Sequence, residues 1–229
     1  GGLRILLEGT RELARDHVLV RLLFINALSF GLLMAYLSAA PFVLRNVLGM
    51  GTVAYTAVFG LCGATVTVTI AVAASLVRRF SQARQVRIGL IAVMVVDVVF
   101  AAVCLVWLRE PVTGASRMPL LVVVVVLFLA HVACLGLSMG NAPALALDRT
   151  GRWAGTGSAL LGFLQFVVGG LVSPLVGLTG EASGAAFGVV IVAVGVIANI
   201  LAVFGLRERG EKERRAAREA ERRQRRLGQ

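Results

Sequence analysis

Six long apolar segments alternate with short polar ones along the 229-residue chain. Each segment has roughly the twenty residues that a helix needs to cross the hydrocarbon core of a bilayer. The pattern predicts an all-α membrane protein with six transmembrane helices at about 18–40, 53–77, 86–108, 119–142, 155–178 and 184–206. Apolar residues make up 58% of the chain, which is more than a soluble domain usually holds.

The two ends of the chain are polar. Residues 1–16 interleave leucine with Arg and Glu, which predicts a cytoplasmic linker or amphipathic leader helix, or else a solvated leader. Residues 207–229 hold ten basic and five acidic residues, which predicts a basic cytoplasmic tail, either solvated or attached to anionic lipid. The chain begins at Gly1 rather than Met, so we expect a fragment or a processed chain.

The basic residues predict how the helices are oriented. Of the 23 Lys and Arg residues, all but Arg45, Arg109 and Arg117 fall at the start of the chain up to Arg21, in or next to the loops after the second and fourth spans, or in the tail. Cytoplasmic loops of membrane proteins carry this excess, so both termini are expected in the cytoplasm. The same placement argues against nucleic acid as a partner, despite the net charge of +11.

Two titratable residues interrupt the apolar spans. Asp97 lies near the middle of the third span and His131 near the middle of the fourth, so the two are expected at a similar depth. A hydrogen bond or ion pair between them is compatible with this spacing. Intramembrane ionisable groups are costly and often functional, and His can change charge near neutral pH. Each is therefore a candidate proton-relay residue or, alternatively, a buried structural group.

The fifth span carries a stripe of small residues. Gly169, Ser173 and Gly177 recur every four residues and share one face of a helix, and Pro174 lies beside them. Small residues let membrane helices approach closely, so this stripe predicts a tight helix–helix contact. Gly195, in the sixth span, is expected to tolerate a larger side chain better than Gly169.

No pattern typical of an enzyme is found. Cys62, Cys104 and Cys134 all fall inside apolar spans without metal-ligand spacing, so no metal site or cofactor is predicted. Ser158 and His131 are expected at different depths, about 15 to 20 Å apart by helix rise, which excludes an intramembrane serine protease. The set Thr65, Thr67 and Thr69 is assigned to packing.

Two longer runs resemble a known family. The run YLSAAPFVLRNVLGM (36–50) and the run GNAPALALDRTGRWAGTGSALLGFLQFVVGGLVSPLVG (140–177) are similar to the C-terminal half of the Bcr/CflA drug-resistance transporters, within the major facilitator superfamily. The leader resembles the central cytoplasmic loop of that family. The resemblance covers residues 3–206 and implies one six-helix half of a transporter, with the N-terminal half missing.

The resemblance implies a function in the bacterial cytoplasmic (inner) membrane. It implies efflux of small hydrophobic drugs coupled to proton entry, by alternating access between two six-helix halves. The expected partners are the lipid bilayer, the drug and the missing N-terminal half, and the energy source is the proton gradient rather than a cofactor. A six-span scaffold or partner-binding protein without transport activity is the alternative.

The resemblance also implies which residues face the substrate. The first, second, fourth and fifth spans would line the central cavity, which makes Asn26, Tyr36, His131 and Gln165 candidate substrate-cavity residues. Helix–helix hydrogen bonds are the alternative for these polar groups, and Tyr36 could instead anchor the helix at the membrane interface. The third and sixth spans would be peripheral.

Overall fold

A computed structural model describes residues 2–178, 184–204 and 206, and the basic tail lies outside these residues. All of the regular secondary structure in these residues is helical. The main helices are α1 (Gly2–Leu13), α2 (His17–Pro41) with a π-helical extension (Phe42–Val47), α3 (Thr52–Leu76), α4 (Gln82–Trp107), α5 (Arg117–Leu147), α6 (Ala154–Leu175) and α7 (Ala185–Phe204). Six helices, α2 to α7, are long and apolar enough to cross a membrane, as predicted.

Two helices continue past a proline and beyond their predicted ends. The first span does not stop at Pro41 but continues as a π-helix to Val47. The fourth does not stop at Ala142 but passes Pro143 and ends at Leu147. Proline removes one backbone donor, and in a membrane helix a local π turn or a neighbouring helix can satisfy the freed carbonyl. Both helices are therefore longer than predicted.

Helices α2 and α5 form the centre of the bundle. Helix α2 packs against α5 and α6, and α5 also packs against α3 and α4. Helix α7 lies on α4, where a Cβ added at Gly188 would come within 3.0 Å of Ala101. The Asn199 side-chain amide of α7 also donates to the Leu90 carbonyl of α4, at 2.9 Å. Helices α3 and α6 are the least buried of the six spans.

Glycines allow the close crossings of α5. A Cβ at Gly136 of α5 would lie 2.7 Å from Thr69 of α3, and a Cβ at Gly89 of α4 would lie 2.9 Å from Leu137. Both distances are shorter than a van der Waals contact, so only glycine fits without a shift of the backbone. Thr69 therefore belongs to a packing contact between α3 and α5.

The leader and the loop between α5 and α6 are joined at the start of α2. Asp16 caps α2 by accepting hydrogen bonds from the backbone N–H groups of Val18 (3.0 Å) and Leu19 (3.3 Å). Arg149 donates two further hydrogen bonds to the same carboxylate, at 2.9 and 2.6 Å. A single acidic side chain thus accepts hydrogen bonds from the free N–H groups at the start of α2 and also pairs with the loop.

A second contact strengthens this junction. Arg152 pairs with Glu12 at 2.7 Å, and this hydrogen bond lowers the pKa of Glu12 from its ordinary value. A Cβ at Gly9 would lie 2.7 Å from the ring of Trp153, so α1 rests directly on the indole. The leader is therefore docked on the bundle along its last two turns.

The charge of Asp16 should make stability depend on pH. Burial opposes its ionisation, but the hydrogen bonds from Arg149 and from the backbone of Leu19 and Val18 outweigh this and lower its pKa. A lowered native pKa stabilises the fold above the unfolded pKa of about 4, and the stabilisation is lost as pH falls through the native pKa.

We expect Asp16→Asn to cost about 1 kcal/mol at pH 7, because Asn keeps the cap but loses the ion pair. The difference from wild type should shrink as the pH is lowered from about 5 in thermal unfolding in detergent. Glu8→Gln, at an exposed pair with Arg4, is the matched control and should have little effect at either pH. A cost for Asp16→Asn that is the same at pH 7 and in acid would contradict the assignment.

Candidate functional site

Asp97 and His131 meet inside the bundle. Asp97 is on α4 and His131 on α5, and the packing of these helices brings Oδ1 of Asp97 to 2.6 Å from Nδ1 of His131. Both side chains are completely inaccessible to solvent. The structure therefore contains the pairing that the similar depth of the two side chains allowed.

Aromatic rings surround the pair. Phe128, one turn before His131, packs edge-on against Phe100 at 4.8 Å between ring centroids. Tyr36 of α2 contacts Phe128 at 5.2 Å and His131 at 6.4 Å. Such an apolar shell strengthens the attraction between opposite charges and makes an unpaired charge costly.

One polar atom on each partner is left over. Asp97 Oδ2 and His131 Nε2 are buried and have no hydrogen-bond partner among the described residues. On the α7 side, a Cβ at Gly195 would lie 3.6 Å from Asp97 Oδ2 and 3.1 Å from the Met94 sulfur. The absence of a side chain at Gly195 thus leaves room beside the carboxylate. The short distance to Met94 also shows that Gly195 is packed more tightly than expected for a peripheral span.

The other cavity candidates are in different surroundings. Tyr36 is 4% exposed, and its hydroxyl interacts with the Cys62 thiol of α3. Asn26 is buried ten residues earlier on α2, about 15 Å away by helix rise, and its Nδ2 has no partner in the described part of the chain. Gln165 is half-buried on α6. The structure therefore brings Tyr36 and His131 together. His131 is enclosed in the core, however, and does not line a cavity as the resemblance implied.

A small apolar pocket opens beside Tyr36. It has a volume of about 190 Å³ and is lined by side chains of α2 and α3, among them Leu33, Tyr36, Phe59 and Cys62. The Tyr36 and Phe59 rings are stacked at 6.1 Å between centroids. Tyr55 lies one turn before Phe59 on α3, and their ring centroids are 5.7 Å apart. Sequence reasoning missed Phe59 and Tyr55, although their spacing of four residues places them on one helix face.

The small-residue stripe of α6 makes a contact at two positions. A Cβ at Gly169 would lie 2.8 Å from Met34 and 3.2 Å from Phe30, both on α2. Ser173 shares a 2.5 Å hydrogen bond with Ser38 of α2. Gly177 lies beyond the helix end at Leu175 and is exposed, so its predicted packing role was wrong.

Pro174 is also exposed, on the face of α6 turned away from α2. The predicted contact of α6 therefore stops short of the end of the stripe.

The described part of the chain offers no ligand set for a metal ion. No group of three His, Cys, Asp or Glu side chains comes together within residues 2–178, 184–204 and 206. Ser158 is exposed near the start of α6, whereas His131 is in the core, so the two are not a nucleophile and its base. The titratable side chains that the structure brings together here are one carboxylate and one imidazole, which can exchange a proton.

These features define a polytopic α-helical membrane protein with a titratable pair in its core. The chain is 29% identical over 187 residues to YdgK of Bacillus subtilis (strain 168), an uncharacterised MFS-type transporter. The similarity covers 80% of this chain and 41% of that protein, so the chain spans less than half the length of the relative. It supports a place in the major facilitator superfamily and a general role in membrane transport. No family model and no solved structure matches the chain.

Proposed function

We propose that this chain is the C-terminal six-helix half of a proton-coupled exporter of small hydrophobic drugs, of the Bcr/CflA type. The observation that carries the proposal is the similarity to an MFS-type transporter along 41% of that protein's length, together with six membrane-crossing helices here. A transporter of this architecture works by one six-helix bundle rocking against another. The other half would be the main partner, in a bacterial inner membrane with the leader on the cytoplasmic side.

The exposed faces of α3 and α6 are suited to such a partner. Apolar side chains cover them, including Leu61 and Val68 on α3 and Phe163, Phe166 and Leu171 on α6. Gln165 lies among these residues of α6, half-buried at the edge of the contact with α2. A second bundle packed on this side would enclose Gln165 and the pocket beside Tyr36, which suits the hydrophobic part of a drug.

Proton coupling is assigned to Asp97 and His131. With Asp97 ionised and His131 neutral, the Nδ1–H group donates to Oδ1 and the pair carries one negative charge. Uptake of one proton makes the pair neutral overall, which removes a net charge from an apolar environment. The free Nε2 and Oδ2 atoms are the positions where this proton would enter or leave.

The test is drug resistance in a bacterium that lacks its own efflux pumps. The chain alone should give no resistance, because alternating access needs two bundles. The chain expressed with a separately encoded N-terminal half should lower drug accumulation, and a protonophore should abolish the effect. The double variant Asp97→Leu/His131→Leu is the matched control, since it should fold but lose proton dependence.

Several outcomes would count against this proposal. Proton-dependent efflux by the lone chain as a monomer would contradict its role as a half. Efflux that persists unchanged in the double variant would contradict the assigned proton site. Absence of efflux with every N-terminal half that inserts stably would favour the alternative, a six-span scaffold.

A further inference from the structure

A cavity lies between the end of α4 and the beginning of α5. It has a volume of about 820 Å³ and is at the end of the bundle opposite the leader α1. The same end holds the contact in which Arg117 donates to the Leu48 carbonyl at 2.8 Å and also to the Gly49 carbonyl. The cavity does not overlap with the Asp97–His131 pair or with the pocket beside Tyr36.

The walls of this cavity change character along the helix axis. Val103 and Val106 of α4 and Leu120 and Val123 of α5 form an apolar lower part inside the spans. From Val103 to Trp107, where α4 ends, the helix rises about 6 Å, which is a substantial part of the hydrocarbon thickness of one leaflet. Val106 (62% exposed) and Val123 (44% exposed) reach the outer surface of two membrane-crossing helices. A lipid chain is therefore the group that would fill the lower part.

The rim of the cavity is charged with both signs. Arg109 and Glu110 line it just after the end of α4 and are exposed, and neither forms an ion pair with any described residue. Trp107, which is 58% exposed, stands beside them, as expected at the boundary between hydrocarbon and headgroups. The rim therefore presents a cation and an anion to the same headgroup layer.

We propose that this cavity binds an aminophospholipid, such as phosphatidylethanolamine, with its headgroup between Arg109 and Glu110. The guanidinium matches the phosphate, because Arg presents several N–H donors in a fixed plane. The carboxylate matches the ammonium group, which has N–H donors that the quaternary amine of phosphatidylcholine lacks. The proposal needs only that the six helices span a membrane, so it stands apart from the transport function.

Quenching of Trp107 fluorescence by brominated lipids tests this binding. The chain has two tryptophans, so Trp153→Phe leaves Trp107 as the single reporter. The protein is reconstituted in vesicles of non-brominated phosphatidylcholine with an equal mole fraction of either brominated phosphatidylethanolamine or brominated phosphatidylcholine. We expect the site to bind phosphatidylethanolamine roughly threefold more tightly than phosphatidylcholine. The ratio is small because exposed ionic contacts are individually weak.

Two variants check the source of the preference. Glu110→Gln should make the two brominated lipids quench Trp107 equally. The Trp107→Phe protein reports from Trp153, at the opposite end of the bundle, and should show no preference. Equal quenching of Trp107 by both lipids in the parent protein, or a preference that survives Glu110→Gln, would overturn the proposal.

A measurement on the unmodified chain provides a second test. Short-chain phosphatidylethanolamine added to the detergent-purified protein should raise the thermal unfolding midpoint more than the matching phosphatidylcholine. The excess should be lost in Arg109→Gln and in Glu110→Gln alike. An equal rise with both lipids would contradict the assigned headgroup contacts even if the tryptophan variants did not fold.

Discussion

Replacing His131 by leucine is expected to lower the free energy of unfolding by about 3 to 5 kcal/mol, because it leaves the Asp97 carboxylate buried without a partner. Asp97→Leu should cost less, about 1 to 3 kcal/mol, since it leaves a neutral imidazole with unpaired nitrogens. The double variant should return close to the wild-type value, because apolar side chains can replace a buried pair at little cost. Denaturant unfolding in detergent measures all three.

The asymmetry between the two single variants is the specific part of this expectation. It follows from a fully buried pair, 2.6 Å apart, that lies inside an aromatic shell. Nearly additive losses in the double variant would show that the two side chains are not coupled, and would also remove the basis for a shared proton.

The second large effect is expected at the contact between α6 and α2. Gly169→Leu should destabilise the protein by about 1 to 3 kcal/mol or more, because overpacking forces neighbouring side chains and backbone to move. The Cβ alone would lie 2.8 Å from Met34, near the base of that side chain, and 3.2 Å from the Phe30 ring. The measurement is again denaturant or thermal unfolding in detergent.

Gly170 provides a matched control on the same helix. A Cβ at Gly170 meets nothing within 4 Å, so Gly170→Leu should change the free energy of unfolding little. Both variants carry the same change in helix propensity, so their difference isolates the packing term. If the two variants lost similar free energy of unfolding, glycine at position 169 would not be needed for the close approach of α6 to α2.

The sequence predicted the six membrane-crossing helices, and it showed that a contact between Asp97 and His131 was possible. Uninterrupted apolar length determines how many helices cross the membrane, and this property can be counted directly. Asp97 and His131 could be matched because each lies at mid-span, and equal depth is a necessary condition for contact. Their 2.6 Å contact also required the right rotation of α4 and α5 about their axes, which span counting does not supply.

The features that sequence reasoning missed depend on contacts between distant residues. Ser38 and Ser173 are hydrogen-bonded across α2 and α6, and Asp16 is paired with Arg149, yet no local pattern links either pair. Gly177 has the right spacing for the stripe, but α6 ends at Leu175, two residues before it. Spacing shows which residues share a helix face. The packing of the helices determines how far along that face the contact extends.

The junction at Asp16 has a mechanical consequence. Because one carboxylate holds both the first turn of α2 and the loop after α5, the start of α2 and the end of α5 cannot separate without breaking hydrogen bonds to a charged group. The Glu12–Arg152 contact adds α1 and the start of α6 to the same unit. A force applied to α1 would therefore turn α2, α5 and α6 together, with the leader acting as a lever arm for that side of the bundle.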